Sequence, residues 1–233
     1  MIGIFDSGVG GLCSFAELRR LLPRADILYL ADRKNAPYGT KSREELLCLV
    51  RRDIQRLRAM GATEILVACC TASMICPLLD GEETSGLTTM ILPTAEHIAS
   101  EKSENPRVAV IATRATVDSG EFGKAIKRLV RGAEVTEIAL QPLVSIVESG
   151  ARDGCLSGGA ADYLDGALAK VREGGFTHLV LGCTHFSHLA REIEKRLPQT
   201  RIVSPARLGA LAIYEKIKSK ELKSGFGRSL YTE

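Results

Sequence analysis

The chain has 233 residues, 45% of them apolar and 25% charged, with a formal net charge of +3. This is the composition of an ordinary globular protein and excludes disordered and fibrous classes. Lysine and arginine are spread along the chain rather than clustered, which argues against a nucleic-acid partner, and no apolar run approaches the ~20 residues that span a bilayer, which argues against a membrane segment.

Short apolar runs alternate with longer amphipathic ones. Residues 2–5 predict a strand, 12–22 a helix stopped by Pro23, 27–31 a strand, 42–60 a helix stopped by Gly61, 65–68 and 89–92 strands, and 94–102 a helix. Further on, strands are predicted at 108–112, 135–139, 178–181 and 202–203, with helices at 116–130, 159–173 and 189–197. The strand runs are continuously apolar and rich in β-branched residues, as strands buried on both faces of a parallel sheet are. Their β-α-β-α order predicts an α/β fold with helices on the sheet faces.

A weak internal repeat divides the chain. IGIFDSGVGGL near the start resembles VAVIATRATVDSG from Val108, and ILVACCTAS resembles LVLGCTHF. The expectation is two similar units with parallel-rich sheets: residues 1–95 with 206–233 as the first, and 96–205 as the second. EKSENPR (101–107) is the expected crossing, and the helix-like stretch after Pro205 is expected to return to the first unit. Ligands of open parallel sheets bind beyond the carboxyl ends of the strands, so two such units would enclose a cleft lined by polar turns.

The strongest chemical signal is the matched pair Cys69 and Cys183, each at a strand end and each followed by Thr or Cys-Thr. A lone cysteine there is usually a small buried hydrophobe, but two at repeated positions suggest proton transfer from two sides. Helix N-termini beside them predict lowered thiol pKa values. Asp6 and Ser7 end the first strand in a glycine-rich turn that suits a carboxylate ligand, although a helix-capping role accounts for such a turn as well. The spacing is not that of a dinucleotide fingerprint. Tyr38 and Gly39 lie in a tight turn after the second strand, and His185 could polarise the Cys183 thiol with Glu148 orienting its ring, unless Glu148 only solvates a helix end.

The seven cysteines are odd in number and unevenly spaced, and MIGIF is read as the first strand rather than a leader, so free thiols in a reducing, cytoplasmic compartment are expected. Cys69, Cys70, Cys76, Cys183, His185 and His188 are zinc-ligand types, but no second C-x-x-C pair closes a tetrahedral site, and no metal is expected. Cys13, Cys48, Cys76 and Cys155 are read as structural.

FDSGVGG, APYGTKS, ACCTAS and LGCTHF, in this order across nearly the whole chain, resemble the motifs of glutamate racemases. The resemblance implies a cofactor-independent isomerase of two similar α/β domains, with its active site in the interdomain cleft, that interconverts L- and D-glutamate for peptidoglycan. It leaves a homodimer open. It places the catalytic cysteines on Cys69 and Cys183, the assisting acid on Asp6 and the supporting pair on Glu148 and His185. Substrate contacts fall on Ser7, Tyr38, Gly39, Cys70, Thr71, Thr116 and Thr184. Cys70 departs from the pattern, because the family usually has Asn there. A racemase or related enzyme acting on another amino acid or hydantoin-like compound is therefore one alternative, and a binding protein without catalysis is another.

Overall fold

The computed structural model describes residues 1–151, 153, 155–219 and 227–233. Among these, nine strands run β1 (Ile2–Asp6), β2 (Ile27–Ala31), β3 (Glu64–Val67), β4 (Leu87–Thr88), β5 (Arg107–Ala112), β6 (Glu134–Ala139), β7 (His178–Gly182), β8 (Arg201–Val203) and β9 (Ser229–Thr232). They form two sheets, ordered β4-β3-β1-β2-β9 and β6-β5-β7-β8, and every pairing is parallel. The orders β3-β1-β2 and β7-β5-β6 are the same motif used twice, so the turns after β3 and β7, which hold Cys69 and Cys183, are equivalent places.

The helices are α1 (Leu12–Leu21), α2 (Arg43–Ala59), α3 (Cys70–Ser73), α4 (Ile91–Ser100), α5 (Arg114–Ser119), α6 (Glu121–Leu129), α7 (Pro142–Glu148), α8 (Gly159–Glu173), α9 (Ala190–Arg196) and α10 (Pro205–Ser219). Every residue of β1, β2, β3 and β7 is buried, which is why those runs read as unbroken apolar stretches. In β5 the strand period of two divides the core: Val108, Val110 and Ala112 face a layer shared with the first sheet, while Ala109 and Ile111 face a second cluster with Leu143, Leu164 and Phe186. Each fully buried Leu, Ile or Phe contributes about 1.5–3 kcal/mol.

Local chemistry sets where elements begin. Ser42 caps α2 through a capping box: Glu45 N–H donates to Ser42 Oγ (3.2 Å) and Ser42 N–H to Glu45 Oε2 (2.8 Å). This ends the turn that carries Tyr38 and Gly39. α10 packs on α1, α4 and β3, and β9 adds to the first sheet beside β2, so the chain after Pro205 does return to the first sheet. At the crossing, Glu101 is held by His97, His178 (2.6 Å) and Arg201.

Two expectations are corrected, and one strand, β9, was not expected. The apolar run at 89–92 is not a strand: β4 is the two residues before it, and Ile91 opens α4, with Pro93 in the first turn where its missing N–H costs nothing. A short apolar run fits a strand and a buried helix start equally well. The stretch 116–130 is two helices, because Gly120 takes φ 65 and turns the chain between α5 and α6. Strand β9, four mostly exposed residues, lacks the apolar pattern that marks the others. No described helix is long and apolar enough to cross a membrane.

Candidate active site

A cavity of about 380 Å³ lies between the carboxyl ends of the two sheets, within the usual size range for small-ligand sites. The first sheet contributes Ser7, Gly8, Tyr38, Gly39, Cys69, Cys70 and Thr71 to its lining, and the second contributes Thr113, Gln141, Glu148, Cys183, Thr184 and His185. Of the twelve residues singled out in the sequence, ten line this one cavity. Asp6 and Thr116 do not.

Asp6 is fully buried just behind the lining, where it accepts hydrogen bonds from the Gly8 N–H (2.8 Å) and the Thr184 hydroxyl (3.1 Å). The second contact ties the first strand of one sheet to the Cys-Thr-His turn of the other. Burial pushes the Asp6 carboxyl above its ordinary range, against the pull of His185 and these hydrogen bonds. Thr116 sits one layer back. Its hydroxyl meets those of Thr71 (3.1 Å) and Thr113 (2.9 Å), which are 3.0 Å from each other, a closed triangle in which each hydroxyl can donate once and accept once. Thr71 and Thr113 line the cavity, and Thr116 fixes both.

The glycine-rich turn also brings the two halves of the site together. A Cβ on Gly10 would lie 2.4 Å from Thr184 Oγ1 and 2.9 Å from the His185 backbone nitrogen, and one on Gly39 would lie 2.6 Å from Gln141 Oε1. Both glycines let the two halves of the site approach each other. Tyr38 lines the cavity, and its hydroxyl donates to Asp32 (2.6 Å) and Asp53 (3.0 Å). Burial and then the Asp32 charge hold Asp53 above the usual carboxylate range despite Arg52, whereas hydrogen bonds from Tyr38 and Asn35 with the Arg52 charge more than reverse the effect of burial on Asp32. The Tyr38 hydroxyl has a single hydrogen and donates to one of these two carboxyls at a time.

Cys69 lies at the start of α3, with its sulfur 3.6 Å from Ser7 Oγ. Cys183 opens the turn that carries His185, whose Nδ1 is 3.8 Å from the Cys183 sulfur and whose Nε2 is 2.5 Å from Glu148 Oε1. The carboxylate accepts, so Nε2 carries the hydrogen and Nδ1 is free to take a proton from the thiol. The expected lowering of the thiol pKa values does not occur. Burial first, then the Asp6 charge, push Cys69 up to about 11, and burial raises Cys183 further. A four-residue helix and a six-residue 3-10 segment are too short to offset the loss of water. Cys70, 1% exposed, is raised by burial and by the Cys183 charge. Among the described residues no group of three or more His, Cys, Asp or Glu is arranged to hold a metal ion.

Arg33, Thr113, Gln141, Val144 and Ser145 also line the cavity and were not read from the sequence. Arg33, Thr113 and Gln141 lie within two residues of the ends of β2, β5 and β6, so the strand-end rule could have found them. Gln141, Val144, Ser145 and Glu148 share one face of the α7 segment, whose helical spacing is the missed signal.

Two parallel sheets face each other across a cleft whose lining includes the Cys69 and Cys70 thiols from the first and the Cys183 thiol from the second. The sequence profile of the Asp/Glu/Hydantoin racemase family matches residues 16–213, and the chain belongs to that family. It is 35% identical to a glutamate racemase of Carboxydothermus hydrogenoformans over 95% of this chain and 81% of that protein, and 38% identical to one of Desulforudis audaxviator over 88% and 74%. The crystal structure of a Francisella tularensis glutamate racemase in complex with D-glutamate superposes with a TM-score of 0.87 at 26% identity, covering 99% of this chain and 86% of that one.

Proposed function

We propose that the protein is a glutamate racemase that interconverts the L- and D-enantiomers without a cofactor and supplies D-glutamate for peptidoglycan. The observation that carries this reading is the placing of Cys69 and Cys183 in one cavity, each on the turn after the equivalent strand of its own sheet. Cys69 as thiolate takes the α-proton from one face while the Cys183 thiol gives a proton to the other, and the reverse reaction exchanges the roles. Asp6 receives the substrate ammonium through the turn at Ser7, and the Ser7 hydroxyl with nearby backbone N–H groups holds the α-carboxylate, where negative charge grows as the proton leaves.

Raised thiols are consistent with this chemistry. With Cys69 at about 11, forming its thiolate at pH 7 costs about 5 kcal/mol in the free enzyme. A substrate ammonium beside Asp6 cancels the charge that opposes ionisation, so the base is generated when the substrate is in place. His185, oriented by Glu148, carries the Cys183 proton in the direction where Cys183 is the base.

The optical rotation of L-glutamate should decay to zero with the protein, and Cys69→Ser or Cys183→Ser should abolish the decay in D2O. A serine variant with near-normal turnover refutes the two-thiol scheme. Cys70, buried at the cavity wall in place of the family's Asn, favours a second reading with another amino acid or a hydantoin-like substrate; turnover of L-aspartate above that of L-glutamate would establish it. We further propose residues 1–95 with 206–233, and 96–205, as the two domains, a cytoplasmic location, and a homodimer as the assembly to test by sedimentation.

A further inference from the structure

We propose that Arg33 receives the side-chain carboxylate of the substrate, and that Glu233 is the exchangeable partner that holds it at the lip of the cavity. This deepens the glutamate reading and rests on it. Among the described residues that line the cavity, Arg33 is the only lysine or arginine, and the one carboxylate, Glu148, is already paired with His185. A substrate with two carboxylates and one ammonium brings net negative charge to a site that already contains Asp6. The ammonium can offset Asp6, and the Ser7 hydroxyl and backbone N–H groups can serve the α-carboxylate, but the second carboxylate needs a cation.

The fold brings the two partners together. Arg33 lies two residues beyond β2, and β9, paired in parallel with β2, delivers Glu233 to the same edge. The Arg33 guanidinium is 3.1 Å from Glu233 Oε1, and the side chains are 55% and 54% exposed. A pair so exposed is weak, so an incoming carboxylate can replace Glu233 at little cost. The planar guanidinium suits a carboxylate better than an ammonium does, because it can donate two parallel hydrogen bonds.

The test is steady-state racemisation of L-glutamate by wild type, Arg33→Gln, Arg33→Lys and Glu233→Gln. Arg33→Gln should raise KM about 10- to 100-fold with kcat within about twofold, the signature of binding lost equally from ground and transition states. Arg33→Lys should fall between, and Glu233→Gln should lower KM. Added salt should raise the wild-type KM and leave that of Arg33→Gln nearly flat. A wild type that racemises glutamate, with KM unmoved in Arg33→Gln or with the loss in kcat instead, overturns this assignment alone. A wild type inert toward glutamate overturns the assignment and the reading beneath it together.

Discussion

Gly10→Ala should separate the two halves of the site without replacing a catalytic group. The added Cβ would meet Thr184 Oγ1 at 2.4 Å, His185 Nδ1 at 2.8 Å and the His185 backbone nitrogen at 2.9 Å. An ordinary contact needs about 3.4 Å or more, and the threonine cannot simply rotate away, because its hydroxyl donates to Asp6 and the backbone nitrogen behind it is fixed. The two turns must therefore part by roughly 0.5–1 Å, which moves Cys183 away from Cys69. A displacement of that size in a site needing near-attack geometry costs on the order of 100-fold in kcat/KM, and the overpacking costs about 1–3 kcal/mol of stability. Circular dichroism gives both numbers, by the decay of L-glutamate rotation and by thermal unfolding. Gly166→Ala is the control: it lies inside α8 with nothing within 4 Å of the added Cβ, so it should stabilise by about 0.5–1 kcal/mol and leave activity unchanged. A Gly10→Ala enzyme within about threefold of wild-type kcat/KM would refute the view that this glycine exists for the approach of the two turns.

Glu148→Ala removes the acceptor that orients His185 and should lower kcat/KM about 10- to 100-fold, equally for L- and D-glutamate because the enantiomers have an equilibrium constant of one; unequal losses would contradict a racemase. Stability should fall as pH rises above 9: Cys69 titrates at about 11 when folded against an ordinary 9.0, so the unfolded chain releases its proton first, and about 3 kcal/mol present below pH 9 is lost by pH 11. Urea midpoints between pH 8 and 11 check the sign, and a rising midpoint would reverse it. Cys70→Asn should lower KM for L-glutamate by about 10-fold by returning an amide donor to the cavity wall; an unchanged KM would mean that Cys70 faces no part of the substrate.

Much of the candidate site was legible because parallel sheets put polar turns at one end. Strand runs such as ILVA before Cys69 and LVLG before Cys183 mark those turns directly, and ten of the twelve residues picked from them line one cavity. What the local pattern does not carry is the direction in which each side chain turns. Asp6 and Thr116 belong to the layer that supports the lining, and the direction of a side chain at a turn depends on the neighbours that it meets. Thr116 faces two other hydroxyls and Tyr38 faces two carboxyls, partners distant in sequence that no local pattern names. Short elements at the margins, β4 and β9, carry too few residues for a period to show.

The amino-acid sequence alone determined the alternation of strands and helices, the doubling of the motif and the matched cysteines, since these depend on hydrophobic period and local turn chemistry. The tertiary structure decided the ionisation of the thiols and the purpose of the glycines. Both depend on what surrounds a group in space: exclusion of water raises Cys69 and Cys183 against any help from the short helices behind them, and Gly10 is small because Thr184 and His185, from the other sheet, occupy the place of its side chain.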